Sequence, residues 1–219
     1  MSELQAVIFD RDHTLLYFDR AAVAGLEARV AEVAPELPHG AAVAHWAAWP
    51  GPWPRSPAEE PAFWRAFWRA LAERHGAPWR AVGLEAIGAF YHTCFLAYPD
   101  AQRCLLAVRE RGLRTAVLTN FELPSIDRTL AHAGLDPAAF DALLSSAALG
   151  VRKPDQAAFR AAAAALGVPP TACLLVDDLP ANVAGARAAG MRAVLLDRAG
   201  LHPGEPERIA GLDELRDLL

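Results

Sequence analysis

The chain has 219 residues, of which 53% are hydrophobic and 21% are charged, and its formal net charge is −5. This composition fits one folded domain with a smaller insert, excludes a disordered chain and argues against a nucleic-acid partner. Because no apolar run approaches the ~18 residues of a membrane helix and the N-terminus lacks a signal-peptide pattern, we expect a cytoplasmic protein with no membrane partner.

Short apolar runs that end in polar residues recur along the chain and predict the strands of a parallel sheet. The first run, LQAVIF at residues 4–9, ends at Asp10 and is typical of a buried strand. Helix-like stretches alternate with the later runs, which indicates βαβ units with helices on both faces of the sheet. The later predicted strands are 114–120, 141–146, 173–178 and 192–197, and the predicted helices are 100–111, 124–133, 155–166, 180–189 and 212–218.

The stretch between the first two predicted strands breaks this alternation. All six tryptophans lie within residues 46–79, and the loop 47–61 is rich in proline. Apolar residues at helical spacing, such as Phe63, Phe67 and Leu71, predict amphipathic helices in the same stretch. We therefore predict a mostly helical insert, with helices at 21–33, around 63–71 and across 84–95.

Acidic residues stand at the carboxyl ends of predicted strands, where ligands of open α/β sheets bind. Asp10 and Asp12 follow the first strand, so one carboxylate is suited to act as a nucleophile while the other exchanges a proton with the leaving group. Asp177 and Asp178 end a later strand, and such paired negative charge needs a cation. Hard oxygen ligands without clustered Cys or His favour Mg²⁺ over Zn²⁺.

Four further polar residues belong to the candidate site. The hydroxyl of Thr119, with Asn120 beside it, suits a phosphate oxygen, and Lys153, the only lysine of the chain, suits a place where a compact cation is needed. Asn182 lies one helical turn beyond Asp178 and is placed to orient it. Solvated turns, helix caps and surface lysines use the same residue types, so each motif alone leaves these readings open.

Taken in chain order, these motifs resemble the haloacid dehalogenase-like (HAD) hydrolase superfamily. Its pattern is DxDxT, then Ser or Thr after an apolar strand, then Lys, then a paired acidic motif. The stretch 98–197, with LGVRKPD and DDLPANVAGARAAGM, resembles the phosphoglycolate phosphatase-like branch. Together with residues 4–15, the resemblance covers over half of the chain.

The resemblance implies an Mg²⁺-dependent phosphatase that acts on a small phosphorylated metabolite, as a monomer or a homodimer. Asp10 would attack phosphorus and form an aspartyl-phosphate, and Asp12 would protonate the leaving group and then activate water. Thr119, Asn120 and Lys153 would bind the phosphoryl group.

The resemblance also implies a metal site and residues that support it. Asp10, facing Mg²⁺ and the lysine, is expected to stay ionised. The implied Mg²⁺ ligands are Asp10, the backbone carbonyl of Asp12, and Asp178, with Thr14, Asp177 and Asn182 in supporting positions and Asp177 near Lys153.

The insert occupies the position of the family's cap, between the first and second motifs. The resemblance thus implies an α/β fold with two domains: a Rossmann-like, doubly wound parallel sheet core of residues 1–15 and 97–219, and a helical cap of residues 16–96. Such caps close over a site and exclude water. We expect most of the tryptophans to form the core of the cap, and Trp49 and Trp53 to contact the substrate.

One residue departs from the family pattern. The family usually has glycine where this chain has His13, and a histidine costs more than glycine wherever φ is positive. We therefore expect either a shifted turn or an imidazole that faces the substrate, beside the plain alternative of a surface histidine.

Three other functions share the fold. A 2-haloacid dehalogenase is the first, but that branch lacks the second aspartate of the DxD motif and needs no Mg²⁺, so Asp12 and the Asp177–Asp178 pair argue against it. A phosphomutase is the second. A non-catalytic binding protein is the third, and the complete set of charged motif residues argues against it.

Overall fold

Six parallel strands form the central sheet, in a computed structural model that describes residues 3–79, 83–84, 87–88 and 91–219. A separate pair of short antiparallel strands lies in the insert. In chain order the strands are β1 (Ala6–Phe9), β2 (Leu16–Phe18), β3 (Phe95–Ala97), β4 (Arg114–Thr119), β5 (Ala142–Ser145), β6 (Cys173–Asp177), β7 (Arg192–Leu196) and β8 (Arg208–Ile209).

The strand order of the central sheet is β5-β4-β1-β6-β7-β8, and every pairing in it is parallel. β1 lies between β4 and β6, so the chain runs to opposite sides of β1. This arrangement creates a topological switch point where these three strands end, which is the usual ligand position in such sheets. The predicted doubly wound, Rossmann-like sheet is confirmed, and each predicted strand matches an observed one to within two residues.

β1 is apolar throughout because both faces of the sheet are covered. Side chains alternate across a strand, so Val7 and Phe9 enter one hydrophobic core while Ala6 and Ile8 enter a second core on the opposite face. All four side chains are fully buried. A strand in this position reads as a continuous hydrophobic run rather than an alternating one.

Helices connect the strands, and the five helical stretches predicted for the core are confirmed. Four of them are α-helices, and the fifth, Leu212–Leu218, is a 3-10 helix. Its buried side chains, Leu212 and Leu215, are three residues apart, which matches the three-residue turn of that helix. The α-helices are α1 (Arg20–Val33), α2 (Ala41–Ala47), α3 (Glu60–His75), α4 (Ala101–Glu110), α5 (Ile126–His132), α6 (Ser146–Leu149), α7 (Gln156–Ala165) and α8 (Pro180–Ala188).

The insert contains two of its predicted helices, α1 and α3, and two elements that were not predicted, α2 and the β2–β3 ribbon. The ribbon joins the two ends of the insert, with Leu16 opposite Ala97 and Phe18 opposite Phe95. The division of the chain into a core and a cap stays a prediction. Every helix in the described part of the chain is too short or too polar to cross a membrane.

The third predicted helix of the insert, across residues 84–95, falls partly on residues 85, 86, 89 and 90, which lie outside the described residues. At its end, Tyr91–Cys94 forms a short 3-10 helix and Phe95 begins β3. Four of the five apolar residues on which this helix was predicted are buried, namely Leu84, Ile87, Cys94 and Phe95.

Candidate active site

Polar side chains that follow β1, β4 and β6 meet at one cavity of about 220 Å³ at the switch point. The loop before α7 brings Lys153 to the same cavity. Two of the predicted site residues, Thr14 and Asp177, are fully buried and do not line it. The predicted residues that line the cavity are Asp10, Asp12, Thr119, Asn120, Lys153, Asp178 and Asn182.

Lys153 is held between two carboxylates. Its Nζ lies 2.5 Å from Asp10 Oδ1 and 2.6 Å from Asp177 Oδ2, and the residue is only 2% exposed. Burial opposes the charge of the ammonium group, but Asp10 and Asp177 outweigh burial and raise the pKa of Lys153. The lysine is therefore a fixed cation next to Asp10.

The side chain of Asn120 holds the main chain of Lys153 in place. Asn120 Nδ2 donates to the carbonyl oxygen of Lys153 at 2.9 Å, and Asn120 Oδ1 accepts from the Lys153 N–H at 2.8 Å. Asn120 is predicted from the sequence to bind the substrate, and these contacts give it a further, unpredicted role in positioning Lys153. Close packing of α8 holds the same loop, because a Cβ atom on Gly185 would lie 2.4 Å from the carbonyl oxygen of Pro154.

Asn182 contacts Asp177, so the prediction that it orients Asp178 was wrong. Asp177 Oδ1 accepts from Asn182 Nδ2 at 2.9 Å and from the Leu179 N–H at 3.0 Å, while Oδ2 binds Lys153. One helical turn of spacing suits either of the two adjacent carboxylates. Successive side chains at a strand end point in opposite directions, and Asp177 is the one that is fully buried and needs these donors.

The carboxylates around Lys153 outnumber it. Oxygen atoms of Asp10, Asp177 and Asp178 all lie within 4.8 Å of one another. Burial raises the pKa of Asp10 to about 8, although Lys153 acts in the opposite direction, and burial together with Asp177 raises the pKa of Asp178. The expectation of an ionised Asp10 therefore needs more positive charge than Lys153 supplies.

The residues present fit a small divalent cation. Within the described residues no side chain and no main-chain N–H of another residue donates to the Asp178 carboxyl group, whereas both oxygens of Asp177 are engaged. Asp10 and Asp178 therefore have oxygen atoms available as hard ligands, which suit Mg²⁺. A bound cation would also favour the ionised forms of these two carboxyl groups.

Thr119 is placed to donate a hydrogen bond into the cavity. Its side chain is 1% exposed, and Oγ1 accepts from the Phe121 N–H at 3.2 Å. A hydroxyl group that accepts from a main-chain N–H keeps its own hydrogen for another acceptor. Thr119 can thus offer a proton to a phosphoryl oxygen beside Lys153.

Arg198, which the sequence argument missed, braces the loop after β1. Its Nη2 donates to the carbonyl oxygen of Thr14 at 3.0 Å, and its guanidinium group makes two hydrogen bonds with Asp100 at 2.8 and 2.9 Å. Thr14 itself is fully buried. The predicted support of the loop by Thr14 thus involves its main chain.

His13 adopts the positive φ that its replacement of glycine called into question. Its φ is 58°, and it is the only residue other than glycine with positive φ in the described part of the chain. The His13 N–H donates to the carbonyl oxygen of Leu16 at 2.7 Å, and the residue lines the cavity. The turn is therefore kept, with the imidazole at the wall of the site.

We expect His13→Gly to stabilise the protein by about 0.5–1 kcal/mol, because glycine adopts the left-handed conformation without the cost that a Cβ atom imposes. The free energy of unfolding in urea is the measurement. His39→Gly is the matched control, since His39 is exposed, has no positive φ and is expected to lose stability. A destabilised His13→Gly variant would show that contacts of the imidazole outweigh the backbone strain.

Two more charged residues near the site escaped the sequence argument. Arg11 is fully buried beside Asp12, and Glu122 is half-buried and lines the cavity. Burial raises the pKa of Glu122. In the sequence, the position of Arg11 between two aspartates is the one feature that indicates a role at the site. This position does not indicate that the side chain of Arg11 is buried.

A second cavity, of about 340 Å³, adjoins the first and shares Glu122 with it. We call it the outer cleft; it is lined by Trp53, Arg55 and Arg152, among others. Trp49, the other tryptophan considered for substrate contact, packs against Phe63 and Phe67 inside the insert and does not line either cavity.

The parallel α/β sheet, with carboxylates and a single lysine at its switch point, is the arrangement that the sequence motifs suggested. Residues 4–190 match the family of haloacid dehalogenase-like hydrolases, and the chain belongs to this family. It is therefore a hydrolase by family.

Two relatives are phosphatases. The chain is 40% identical over 180 residues to a phosphoserine phosphatase of Thermus thermophilus. The matched stretch covers 80% of this chain and 70% of that protein. The chain is also 48% identical over 103 residues to a phosphatase of Mycobacterium tuberculosis, and this matched stretch covers 47% of this chain. The match spans about half of the length of the mycobacterial protein (48%).

The fold is shared with a dehalogenase as well. The structure of a 2-haloacid dehalogenase from Pseudomonas syringae superposes with a TM-score of 0.73 at 24% sequence identity, over 98% of this chain and 97% of that one. At this level of identity the likeness concerns the fold alone. The family and fold predicted from the motifs are thus confirmed, and the choice between reactions depends on the site.

Proposed function

We propose that this protein is an Mg²⁺-dependent phosphatase that hydrolyses a small phosphorylated metabolite through an aspartyl-phosphate on Asp10. One observation carries the proposal: Asp10, Asp12 and Asp178 line the same cavity as Lys153 and Thr119. Phosphoryl transfer depends mainly on positioning and on stabilisation of negative charge, and these residues supply both.

Asp10 is the proposed nucleophile. One of its oxygens attacks phosphorus in line with the leaving oxygen, the P–O bond to the leaving group breaks, and a carboxyl phosphate results. Lys153, 2.5 Å from Asp10 Oδ1, neutralises the negative charge that gathers on the phosphoryl oxygens, and the Thr119 hydroxyl donates to one of them.

Asp12 is the proposed general acid and base. It follows Asp10 by two residues, is about one-third exposed and lines the cavity. From this position Asp12 gives a proton to the leaving oxygen and later takes one from the water that attacks the aspartyl-phosphate. A carbon–halogen bond needs no such proton, because halide leaves as an anion, so Asp12 favours the phosphatase over the dehalogenase.

Mg²⁺ would be held by Asp10, Asp178 and the backbone carbonyl of Asp12. When bound, it supplies the positive charge that offsets the repulsion between Asp10 and an anionic phosphate. Asp177 stays outside this set because its oxygens already bind Lys153, Asn182 and the Leu179 N–H.

We expect Mg²⁺ to raise the thermal unfolding midpoint of the protein and Asp178→Asn to remove this effect. At roughly ten times its dissociation constant, Mg²⁺ stabilises the folded state by about 1.4 kcal/mol. Differential scanning fluorimetry with and without Mg²⁺ is the measurement. Asp127→Asn, the same charge change at an exposed residue of α5, is the control and should retain the full shift. Equal shifts in both variants would remove Asp178 from the metal site.

The leaving group is proposed to occupy the outer cleft, because this cleft shares Glu122 with the catalytic cavity. Arg55 and Arg152 are both exposed there, and Trp53 lines the same cleft. Neither arginine forms a salt bridge within the described residues, and Arg152 acts on Glu122, the one acidic residue among them that lines the cleft, only at longer range. Two cations beside one carboxyl group favour a leaving group that itself carries an anionic group.

We therefore expect Arg152→Gln to raise the KM for O-phosphoserine by about tenfold, the loss of roughly one charged hydrogen bond, and to leave the KM for p-nitrophenyl phosphate unchanged. Steady-state kinetics with both substrates is the measurement. Arg128→Gln, at an exposed residue of α5, is the matched control. An equal rise in KM for both substrates would place Arg152 at the phosphoryl group instead of the leaving group.

Release of inorganic phosphate from a panel of phosphorylated metabolites, with Mg²⁺ and with EDTA, tests the function. We expect phosphate release that depends on Mg²⁺. Chloride release from 2-chloropropionate without Mg²⁺, and no phosphate release, would establish the dehalogenase. A phosphorylated isomer as the product in place of free phosphate would establish the mutase.

A further inference from the structure

Arg11 is the largest fully buried side chain of the described protein, with 0% of its surface exposed. Arginine is almost never fully buried without complete pairing, because its charge and five N–H groups are costly to remove from water. This residue lies between Asp10 and Asp12 in the chain.

The guanidinium group of Arg11 is bound on one side and enclosed by rings on the others. Its Nη2 donates to both carboxylate oxygens of Asp12, at 2.8 and 3.0 Å. Its Cζ lies 3.6 Å from the ring centroid of Phe121 and 4.5 Å from that of Phe95. Nε and Nη1 have no hydrogen-bond partner within the described residues.

Stability does not account for this arrangement. Cation–π contacts with the two phenylalanines offset part of the desolvation of the guanidinium group, but two of its nitrogen atoms have no partner in the described part of the chain. Asp12 is about one-third exposed, so water can solvate its carboxylate when Arg11 is replaced, and the ion pair itself adds little stability. An aliphatic residue at position 11 would fill the same aromatic cage without these unpaired donors.

The contact with Asp12 indicates a functional role for the buried guanidinium group of Arg11. Arg11 does not line the catalytic cavity, whereas Asp12 does, so Arg11 has no direct access to a substrate there. The rings of Phe121 and Phe95 fix the guanidinium plane, and that plane in turn fixes the carboxyl group of Asp12. Phe121 follows β4 and Phe95 begins β3, so the cage joins the central sheet to the ribbon of the insert.

We propose that Arg11 is a positioning residue that holds the carboxyl group of Asp12 where it meets the leaving oxygen. This inference rests on the proposed phosphatase function. In the step concerned, Asp12 starts with a proton on one oxygen while its other oxygen accepts from Arg11 Nη2. The bond from Asp10 to phosphorus forms, the bond from phosphorus to the leaving oxygen breaks, and the proton of Asp12 moves to that oxygen. Arg11 takes no part in bond making and acts only through the orientation of Asp12.

The leaving group provides a readout that a merely structural role would not change. A phenolate is a stronger base than a p-nitrophenolate, so phenyl phosphate needs the proton of Asp12 more than p-nitrophenyl phosphate does. The two substrates have nearly the same shape. The informative constant is kcat/KM, because it covers only the steps up to departure of the leaving group and not the later hydrolysis of the aspartyl-phosphate, which both substrates share. We expect Arg11→Met to lower kcat/KM for phenyl phosphate by about tenfold or more, and to lower kcat/KM for p-nitrophenyl phosphate by a clearly smaller factor.

Three companion variants make the test decisive. Asp12→Asn should show the same selective loss, and the double variant Arg11→Met/Asp12→Asn should lose little more than Asp12→Asn alone, because both changes remove one function. Thermal unfolding of Arg11→Met should occur at the wild-type temperature or above it. Should that variant unfold under assay conditions, Arg11→Lys, which lacks the planar guanidinium group, is expected to show the same selective loss.

The possible results distinguish a failure of the positioning role of Arg11 from a failure of the proposed role of Asp12. Equal losses on both substrates in Arg11→Met, or in Arg11→Lys when it replaces that variant, would overturn the positioning role while Asp12→Asn still shows the selective loss. A faster turnover of phenyl phosphate in the Arg11 variant would overturn it as well. An Asp12→Asn variant without leaving-group dependence would instead overturn the proposed role of Asp12, on which this inference depends.

Discussion

Asp10→Asn is expected to abolish phosphate release, with a loss of at least about 10³-fold in kcat, and to leave the protein folded. The amide cannot attack phosphorus as a carboxylate does, so no aspartyl-phosphate forms. Lys153 keeps its second partner, Asp177, at 2.6 Å, so the buried cation stays paired. Phosphate release from p-nitrophenyl phosphate is the measurement, and a fully active Asp10→Asn variant would refute the mechanism.

The same variant should also change how stability depends on pH. Burial raises the pKa of Asp10 from 3.8 to about 8, so the folded protein without metal holds this proton more tightly than the unfolded chain does. The stability contributed by protonated Asp10 is therefore fully present below about pH 4 and is lost as the pH rises through about 8. Free energies of unfolding at pH 5 and pH 8, with EDTA, should differ less in Asp10→Asn than in the wild type.

Lys153→Met is expected to lower kcat by about 10²–10³-fold and to destabilise the protein by about 3–5 kcal/mol. The variant leaves Asp10 and Asp177 buried without their shared cation, since both lie within 2.6 Å of Lys153 Nζ. Activity falls because the phosphoryl oxygens lose their ammonium partner. Urea unfolding and steady-state kinetics are the measurements.

The control for Lys153→Met is Arg128→Met, which removes the same charge from an exposed position. It should change the free energy of unfolding by less than about 0.5 kcal/mol. A Lys153→Met variant as stable as this control would show that the two carboxyl groups need no cation in the folded state. Lys153→Arg should not restore activity, because the planar guanidinium group does not fit where a buried ammonium group bridges two carboxylates.

Much of the core was predictable because the pattern of apolar and polar residues in each strand indicates which faces of the strand are buried. β1 is apolar at every position because both faces of the sheet are covered. Four helices are followed by a glycine with positive φ, which is typical of a helix end: Gly112, Gly134, Gly167 and Gly190. Strand ends of one parallel sheet meet at one edge, so the convergence of Asp10, Thr119 and Asp178 on one cavity follows from the order of elements.

The misses have local physical causes. The β2–β3 ribbon has three residues in each strand, too few for an alternating pattern to stand out, and the paired residues Leu16 and Ala97 are 81 positions apart in the chain. Asn182 has two adjacent carboxylates within one helical turn, and only burial decides that it binds Asp177. The residues around Arg11 in the sequence predict a solvated turn residue. Its burial depends on the rings of Phe95 and Phe121, which are distant in the sequence and enclose it only in the folded chain.

The most direct test of the account is to stop turnover of p-nitrophenyl phosphate with acid within the first cycle and to locate the phosphoryl group by mass spectrometry. We expect one phosphoryl group on the peptide that contains Asp10, formed in the presence of Mg²⁺ and missing from Asp10→Asn. Hydrolysis that proceeds with the phosphoryl group on another residue, or at full rate with Asp10 replaced, would contradict it.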